Sequence, residues 1–323
     1  MSHRRMGQMS LADGLVKRRA GQNEALTRLH AVISWKPIER LLDSVYAAER
    51  GRPSYPPLLM FRCLLLQLWY RLSDPELEEA LADRLSFRRF VGVPLDQEVP
   101  DYSTISRFRA QLASRELGQR LFEEVNRQLE ARGLLLKKGT LIDASLIAAA
   151  VNPPRDAHSI PGEGSPTDPD AQWTKRGPLA HFGYKAHVGM DQDSELIRRA
   201  TLTGAKVADS LVAEQLISGD ERAVYGDKGY ENRARSAAWE RRGIADRIMR
   251  KLMPQSRDPH RITAARNRRI APIRSAVERK FALLKRQYGF TRARYIGRPR
   301  NQLHLLLMCI AMNLKRTVVL LAP

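Results

Sequence analysis

A chain of 323 residues, 43% of them hydrophobic, can bury a full core in one large or two modest domains, and its 55 Lys and Arg against 35 Asp and Glu give a net charge of +20. Two cysteines, Cys63 and Cys309, lie in separate apolar runs; they exclude a disulfide scaffold or cysteine metal knuckle and point to a reducing, cytoplasmic setting. The opening MSHRRMGQMSLADG has no apolar leader core, and the greasiest runs, 58–70 and 303–314, are short and carry Arg62 and Asn313, so neither a leader nor a membrane span is expected.

Residues 1–30 are polar, Arg-rich and without a clear period, which predicts a basic arm with at most a short helix. A helical domain is expected over 31–133. Residues 35–48 place Ile38, Leu41, Leu42 and Val45 at helical spacing before the breaker Gly51-Arg52-Pro53. Pro56-Pro57 opens a nearly continuous apolar helix over 58–72, and Ser73-Asp74-Pro75-Glu76 is a capping box that starts the next at once, running to about Arg84. Helices over 102–112 and 116–131 follow, the second with Leu117, Leu121, Val125 and Leu129 and with Gly133 as its stop. Their close spacing resembles helix-turn-helix packing, with Arg107 and Arg109 as candidates for DNA contact.

Past Lys138 the pattern becomes extended. TLIDASLI over 140–147 is a buried-strand run interrupted by Asp143, and 148–176 reads as a Pro-, Gly- and Asp-rich loop. Strands over 182–190 and 196–202 flank the turn 191–194 as an antiparallel hairpin. A helix over 207–217, a short strand 223–226 running into Asp227-Lys228-Gly229-Tyr230, a helix ending near Gly243 and a strand 244–249 complete the series. An Arg-rich segment, 250–269, leads to the helix RSAVERKFALLK, and 303–314 forms a last apolar helix expected to pack on the sheet. From Arg241 onward 21 Lys and Arg face only Asp246, Asp258 and Glu278, so +18 of the excess lies in the last 83 residues. Such a concentration suits a polyanion, because each neutralised phosphate releases counterions.

In that helix Arg274, Glu278 and Lys285 share one face, while Ile273, Val277, Phe281 and Leu284 form the apolar stripe that docks it. Asp143 inside an apolar strand needs a cation or a solvated opening, since an unpartnered buried ion costs several kcal/mol. Three carboxylates, Asp143, Asp227 and Glu278, converging on one opening in a basic protein would hold a hard divalent cation such as Mg²⁺. The histidines show no zinc spacing, and no Gly-x-Ser-x-Gly, phosphate-binding loop or dinucleotide fingerprint occurs.

Taken together, these segments resemble bacterial insertion-sequence transposases of the DDE type, in the insertion sequence five group. The likeness runs through ISWKPIERLL, GRPSYPPLLMFRCLLLQLWYRLSDPELEEALADRLSFRRFVGV and PDYSTISRFRAQL in the helical region. It continues through LIDASLI, FGYKAHVGMD, TLTGAKVADS, VYGDKGY and RSAVERKFALLKRQYGF over 140–314. The family's signature Tyr-x2-Arg-x3-Glu-x6-Lys is matched at Arg274, Glu278 and Lys285, with Ala271 at the tyrosine position.

The resemblance implies an α/β ribonuclease H-like catalytic domain over 138–323, a mixed five-stranded sheet with flanking helices, preceded by an all-α N-terminal domain. It implies that Asp143, Asp227 and Glu278 are catalytic and hold two Mg²⁺ ions, with Mn²⁺ able to substitute, and that the protein acts on terminal inverted repeats and target DNA as a homo-oligomer. The ions would serve water-driven strand cleavage and then attack by the freed 3′ hydroxyl. Arg274, Lys285, Lys228, Lys185, Arg266, Arg268 and Arg269 are the phosphate-contact candidates. A nuclease of the same fold without strand transfer and a non-catalytic DNA-binding derivative are the alternatives; the presence of all three carboxylates disfavours the second.

Overall fold

The computed structural model describes residues 24–45, 54–152, 167–252 and 259–322. By its internal contacts the chain falls into two units, Met1–Arg132 with Leu306–Pro323, and Gly133–Leu305. The first unit is helical. Its elements are α1 Glu24–Ala31, α2 Trp35–Leu42, α3 Pro57–Tyr70, α4 Asp74–Asp83, α5 Leu85–Val91, α6 Tyr102–Ser114 and α7 Leu117–Ala131. α1 lies inside the stretch read as a polar arm; residues 1–23 are outside the described residues.

Local chemistry sets these boundaries. Proline in the first turn starts α3, and Arg71 in the left-handed region (φ 55°) ends it, with Leu72 N–H donating to Gln67 O at 3.0 Å. The predicted capping box at α4 is present: Ser73 Oγ accepts from Glu76 N at 3.3 Å and the Glu76 carboxylate accepts from Ser73 N at 2.6 Å. Asp101 caps α6 by accepting from Thr104 N at 2.7 Å. α5 was not anticipated from periodicity, because it is only seven residues long, follows α4 after Arg84 alone and is stopped by Gly92 at φ 91°.

The second unit is built on a six-stranded sheet of β1 Thr140–Ala148, β2 Gln172–Arg176, β3 Leu179–Asp191, β4 Ile197–Gly204, β5 Ala223–Gly226 and β6 Ala245–Ile248. Its order is β2-β3-β1-β5-β6, with β4 also on β3. β1 runs antiparallel to β3 and parallel to β5, and β5 runs parallel to β6. The expected count was five strands; the sixth is β2, drawn from the end of the stretch read as loop. Its backbone groups pair with the lengthened start of β3, Gln172 opposite Gly183 and Arg176 opposite Leu179. Residues 153–166 of that loop lie outside the described residues.

Helices α8 Asp209–Val212, α9 Arg233–Arg241 and α10 Pro259–Arg286 accompany the sheet. α8 passes into a 3₁₀ turn, Ala213–Leu216, where one longer helix was expected. One side is closed by an apolar cluster that includes Ile142, Val212, Leu216, Val224, Tyr230 and Trp239. α10 packs on β1 and β5, burying Val277, Phe281 and Leu284 of its predicted stripe. Pairing of β1 with β5 covers Thr140 with Val224 and Leu141 with Tyr225, so Asp143 and Asp227 come at matching positions just past the last paired residues.

The last helix, α11 Arg298–Leu320, was expected to belong wholly to the sheet domain, yet only its start does. The Gln302 side chain accepts from Leu202 N on β4 at 2.6 Å. From Leu306 on, the chain groups with the helical unit: Ala311 O accepts from the Trp69 indole at 3.0 Å and Asn313 donates to Asn126 at 2.9 Å. By length and composition α11 is apolar enough to cross a bilayer, but it is mostly buried in the fold.

Arg109, a sequence candidate for DNA contact, is consumed inside the helical unit. It is buried, meets both oxygens of Asp74 at 2.6 and 3.0 Å and donates to Gln67 Oε1 at 2.9 Å. Removing one member of such a pair leaves the other charge uncompensated. Arg109→Ala is expected to lower the unfolding free energy by about 3 kcal/mol in urea titrations; a loss under about 0.5 kcal/mol, the scale of ordinary surface substitutions, would contradict this placement.

Candidate active site

Asp143 sits mid-strand on β1, opposite Val188 of β3, with its side chain 16% exposed. Burial pushes its carboxyl up to about 6, against the pull of the Arg274 guanidinium and the Ala144 N–H; the negative charges of Asp227 and Glu278 add to the rise. Those two effects show that both carboxylates lie within electrostatic reach of Asp143.

Arg274 and Glu278 are four residues apart on α10, and the guanidinium joins the carboxylates: Nη1 is 3.4 Å from Asp143 Oδ2 and Nη2 donates to Glu278 Oε1. Glu278 therefore faces the same side of the sheet as Asp143. Its side chain is 56% exposed, leaving room to change rotamer. Asp227 follows β5 and caps the turn Lys228–Tyr230 by accepting from Gly229 N at 2.8 Å.

The donor set suits a hard divalent cation, being carboxylate oxygens alone, and the Arg274 guanidinium is the positive charge lying between two of them. Among the described residues no three acidic, histidine or cysteine side chains already close on one centre. Arg274 would have to turn aside for the carboxylates to share an ion.

A groove of about 640 Å³ opens from Asp227 and Arg274 and is lined further by Lys228, Arg250, Lys251 and Asn267. Asn267 fixes its wall, accepting from Arg250 N at 3.0 Å and donating to Arg250 O at 2.9 Å. The sequence reading took the Arg-rich segment 250–269 as a whole and did not separate Arg250, Lys251 or Asn267 within it; for Arg250 and Lys251 the clue available was their place just after the strand that pairs with β5.

The other predicted cations divide. Lys228, Arg268, Arg269 and Arg107 are exposed, although Arg107 also bonds Ser103 and Thr104 on its own helix. Lys285 is half-buried and lines a separate pocket of about 220 Å³ with His181, Tyr184 and Thr291. Two candidates are turned inward. Lys185 Nζ donates to Val207 O at 2.8 Å and pairs with Asp209 at 2.9 Å. Arg266 donates to the carbonyls of Asp246 and Ile248 at 2.8 and 3.2 Å, because its position on α10 faces the end of β6.

Comparison with known families gives two matches along the chain. Residues 15–111 match the family model described as "Transposase domain (DUF772)", and residues 136–314 match "Transposase DDE domain". A solved structure described as "Cryo-EM structure of piggyBac transposase synaptic complex with hairpin DNA" aligns over 92% of this chain and 82% of that chain, at 8% identity and a TM-score of 0.39. A likeness that low carries no argument.

The raised value at Asp143 gives a stability signature. Below its ordinary value of 3.8 the group is protonated folded or unfolded and costs nothing; between 3.8 and about 6 the folded state increasingly opposes ionisation, and above 6 the cost is complete. In chelator-treated buffer Asp143→Asn is therefore expected to be more stable than wild type at pH 7.5, by roughly 2–3 kcal/mol, with the advantage vanishing near pH 3.5. Urea midpoints across that range measure it, and an Asn variant less stable at pH 7.5 would contradict the assignment.

Proposed function

The chain belongs to the DDE-domain transposases and is a DNA transposase, and from that premise we propose how its own residues carry the reaction. We assign it to an insertion sequence of the five group, acting on the element's terminal inverted repeats and on target DNA as a homo-oligomer in the cytoplasm. The sheet is read as a ribonuclease H-like core, a reading supported by the antiparallel run β4-β3-β1 extended by parallel β5 and β6.

The observation that carries the mechanism is the half-buried Asp143, joined through Arg274 to Glu278 and within electrostatic reach of Asp227. Asp143, Asp227 and Glu278 hold the divalent ions, assigned as two Mg²⁺. Bound there, such ions lower the pKa of an attacking water or 3′ hydroxyl and stabilise charge on the phosphoryl oxygens. Arg274 keeps the carboxylates compensated beforehand, then releases them and takes up a phosphate, for which its planar fork is suited. Lys228, Arg250 and Lys251 line the approach and orient the strand through its phosphates. Arg268 and Arg269 extend the same electrostatic field along α10.

A joined product separates this reading from a nuclease of the same fold. In strand-transfer assays Asp143→Asn, Asp227→Asn and Glu278→Gln are each expected to fall to background while retaining DNA affinity; wild-type joining in any one removes that residue from the site. Replacing Arg268 and Arg269 together by alanine is expected to weaken binding about equally on all sequences and to flatten the salt slope by roughly two units. A loss confined to terminal-repeat DNA with an unchanged slope would make them base readers instead.

A further inference from the structure

Behind Asp227, on the face of the sheet away from Arg274, lies a fourth carboxylate that the mechanism above does not use. A β-carbon at Gly229 would stand 3.0 Å from Asp227 Oδ1 and 3.7 Å from Asp209 Oδ2, so the two acids share the notch left by the glycine. Asp209 opens α8, and its other oxygen is held by Lys185 Nζ at 2.9 Å. In the β1–β3 register Lys185 and His187 lie opposite Leu146 and Ala144, on the face opposite to Asp143.

Among the described residues, two buried polar atoms on neighbouring side chains have no hydrogen-bond partner. One is the Tyr230 hydroxyl, whose acidity is suppressed by burial and by the negative charges of Asp209, Asp143 and Asp227. The other is His187 Nδ1, 4.0 Å from Asp209 Oδ1. Thr203 Oγ1 donates to Gly204 O at 3.1 Å and sits 2.9 Å from His187 Nε2, so Nε2 carries the imidazole proton and Nδ1 is a bare acceptor. A buried hydroxyl and a bare imidazole nitrogen beside a carboxylate call for water or a cation, since unmatched buried polar groups are costly.

We propose that Asp209 is a fourth acidic residue of the metal centre, a positioning residue that Lys185 orients and that acts on the divalent cation through Asp227, with which it shares the notch at Gly229. This rests on the metal-dependent reading of the site. The effect of Asp209 therefore appears in cation affinity.

The test is calorimetric titration of the full chain with Mn²⁺, without DNA. Wild type is expected to bind and Asp143→Asn to lose binding. Asp209→Asn, folded by circular dichroism, is expected to bind Mn²⁺ roughly 10-fold more weakly, with part of the loss recovered in Asp209→Glu. A role limited to pairing Lys185 would leave the affinity of the folded variant unmoved, and that result overturns the inference alone. Absence of Mn²⁺ binding by wild type overturns the underlying metal reading and this inference with it. Asp209→Ser, smaller and still able to accept from Lys185, is the second variant should Asp209→Asn not fold, and the same loss is expected of it.

Discussion

A carboxylate placed in the middle of a β-strand, with Ile142 fully buried beside it, imposes conditions on everything around it. The ion loses hydration, so a cation must be brought within a few ångströms or the group stays protonated. Arg274 supplies that charge, which requires α10 to cross β1 and β5 with Val277, Phe281 and Leu284 inward and Arg274 and Glu278 at the margin. The β1–β5 register must also hold at Leu141 and Tyr225, so that Asp143 and Asp227 come at matching positions just past it. The compensated pair is only moderately comfortable: the Asp143 carboxyl still rests near 6. A site in that condition favours exchange of a single positive group for a more strongly charged one.

The large cationic excess has two uses, and burial decides between them. Arg109, Lys185 and Arg266 spend their donors on Asp74, Asp209 and backbone carbonyls inside the units. Arg250 combines both, pairing with Asp246 at 2.7 Å while lining the groove beside Asp227. Exposed Lys228, Arg268 and Arg269 remain for a polyanion, with counterion release as the physical source of affinity. Net charge alone thus overstates the number of phosphate contacts.

Much of the fold could be read from local chemistry. The Ser73–Glu76 box, the proline-led α3, the stripe of α7 and the extended runs of β1, β3 and β4 each have a short-range cause, and each lies within a few residues of where the pattern placed it. What escaped has long-range causes. β2 exists because β3 extends far enough to pair with it, and α11 divides between units because Trp69 and Asn126 take its later carbonyl and amide groups. The direction of a long cation is equally hidden: nothing local tells Arg266, which turns to β6, from exposed Arg268 and Arg269. Asp209 carries no local signal of its own in the sequence, and only the packing of Lys185 and Gly229 brings it to Asp227.

In the proposed mechanism Arg274 occupies the place of a divalent cation, and anomalous diffraction from crystals of the chain grown with and without Mn²⁺ tests this. An anomalous peak is expected between the carboxylates of Asp143 and Asp227, with the Arg274 guanidinium withdrawn from Asp143 only in the Mn²⁺ crystals. Arg274 still bonded to Asp143 at saturating Mn²⁺, with any peak lying elsewhere, would contradict it.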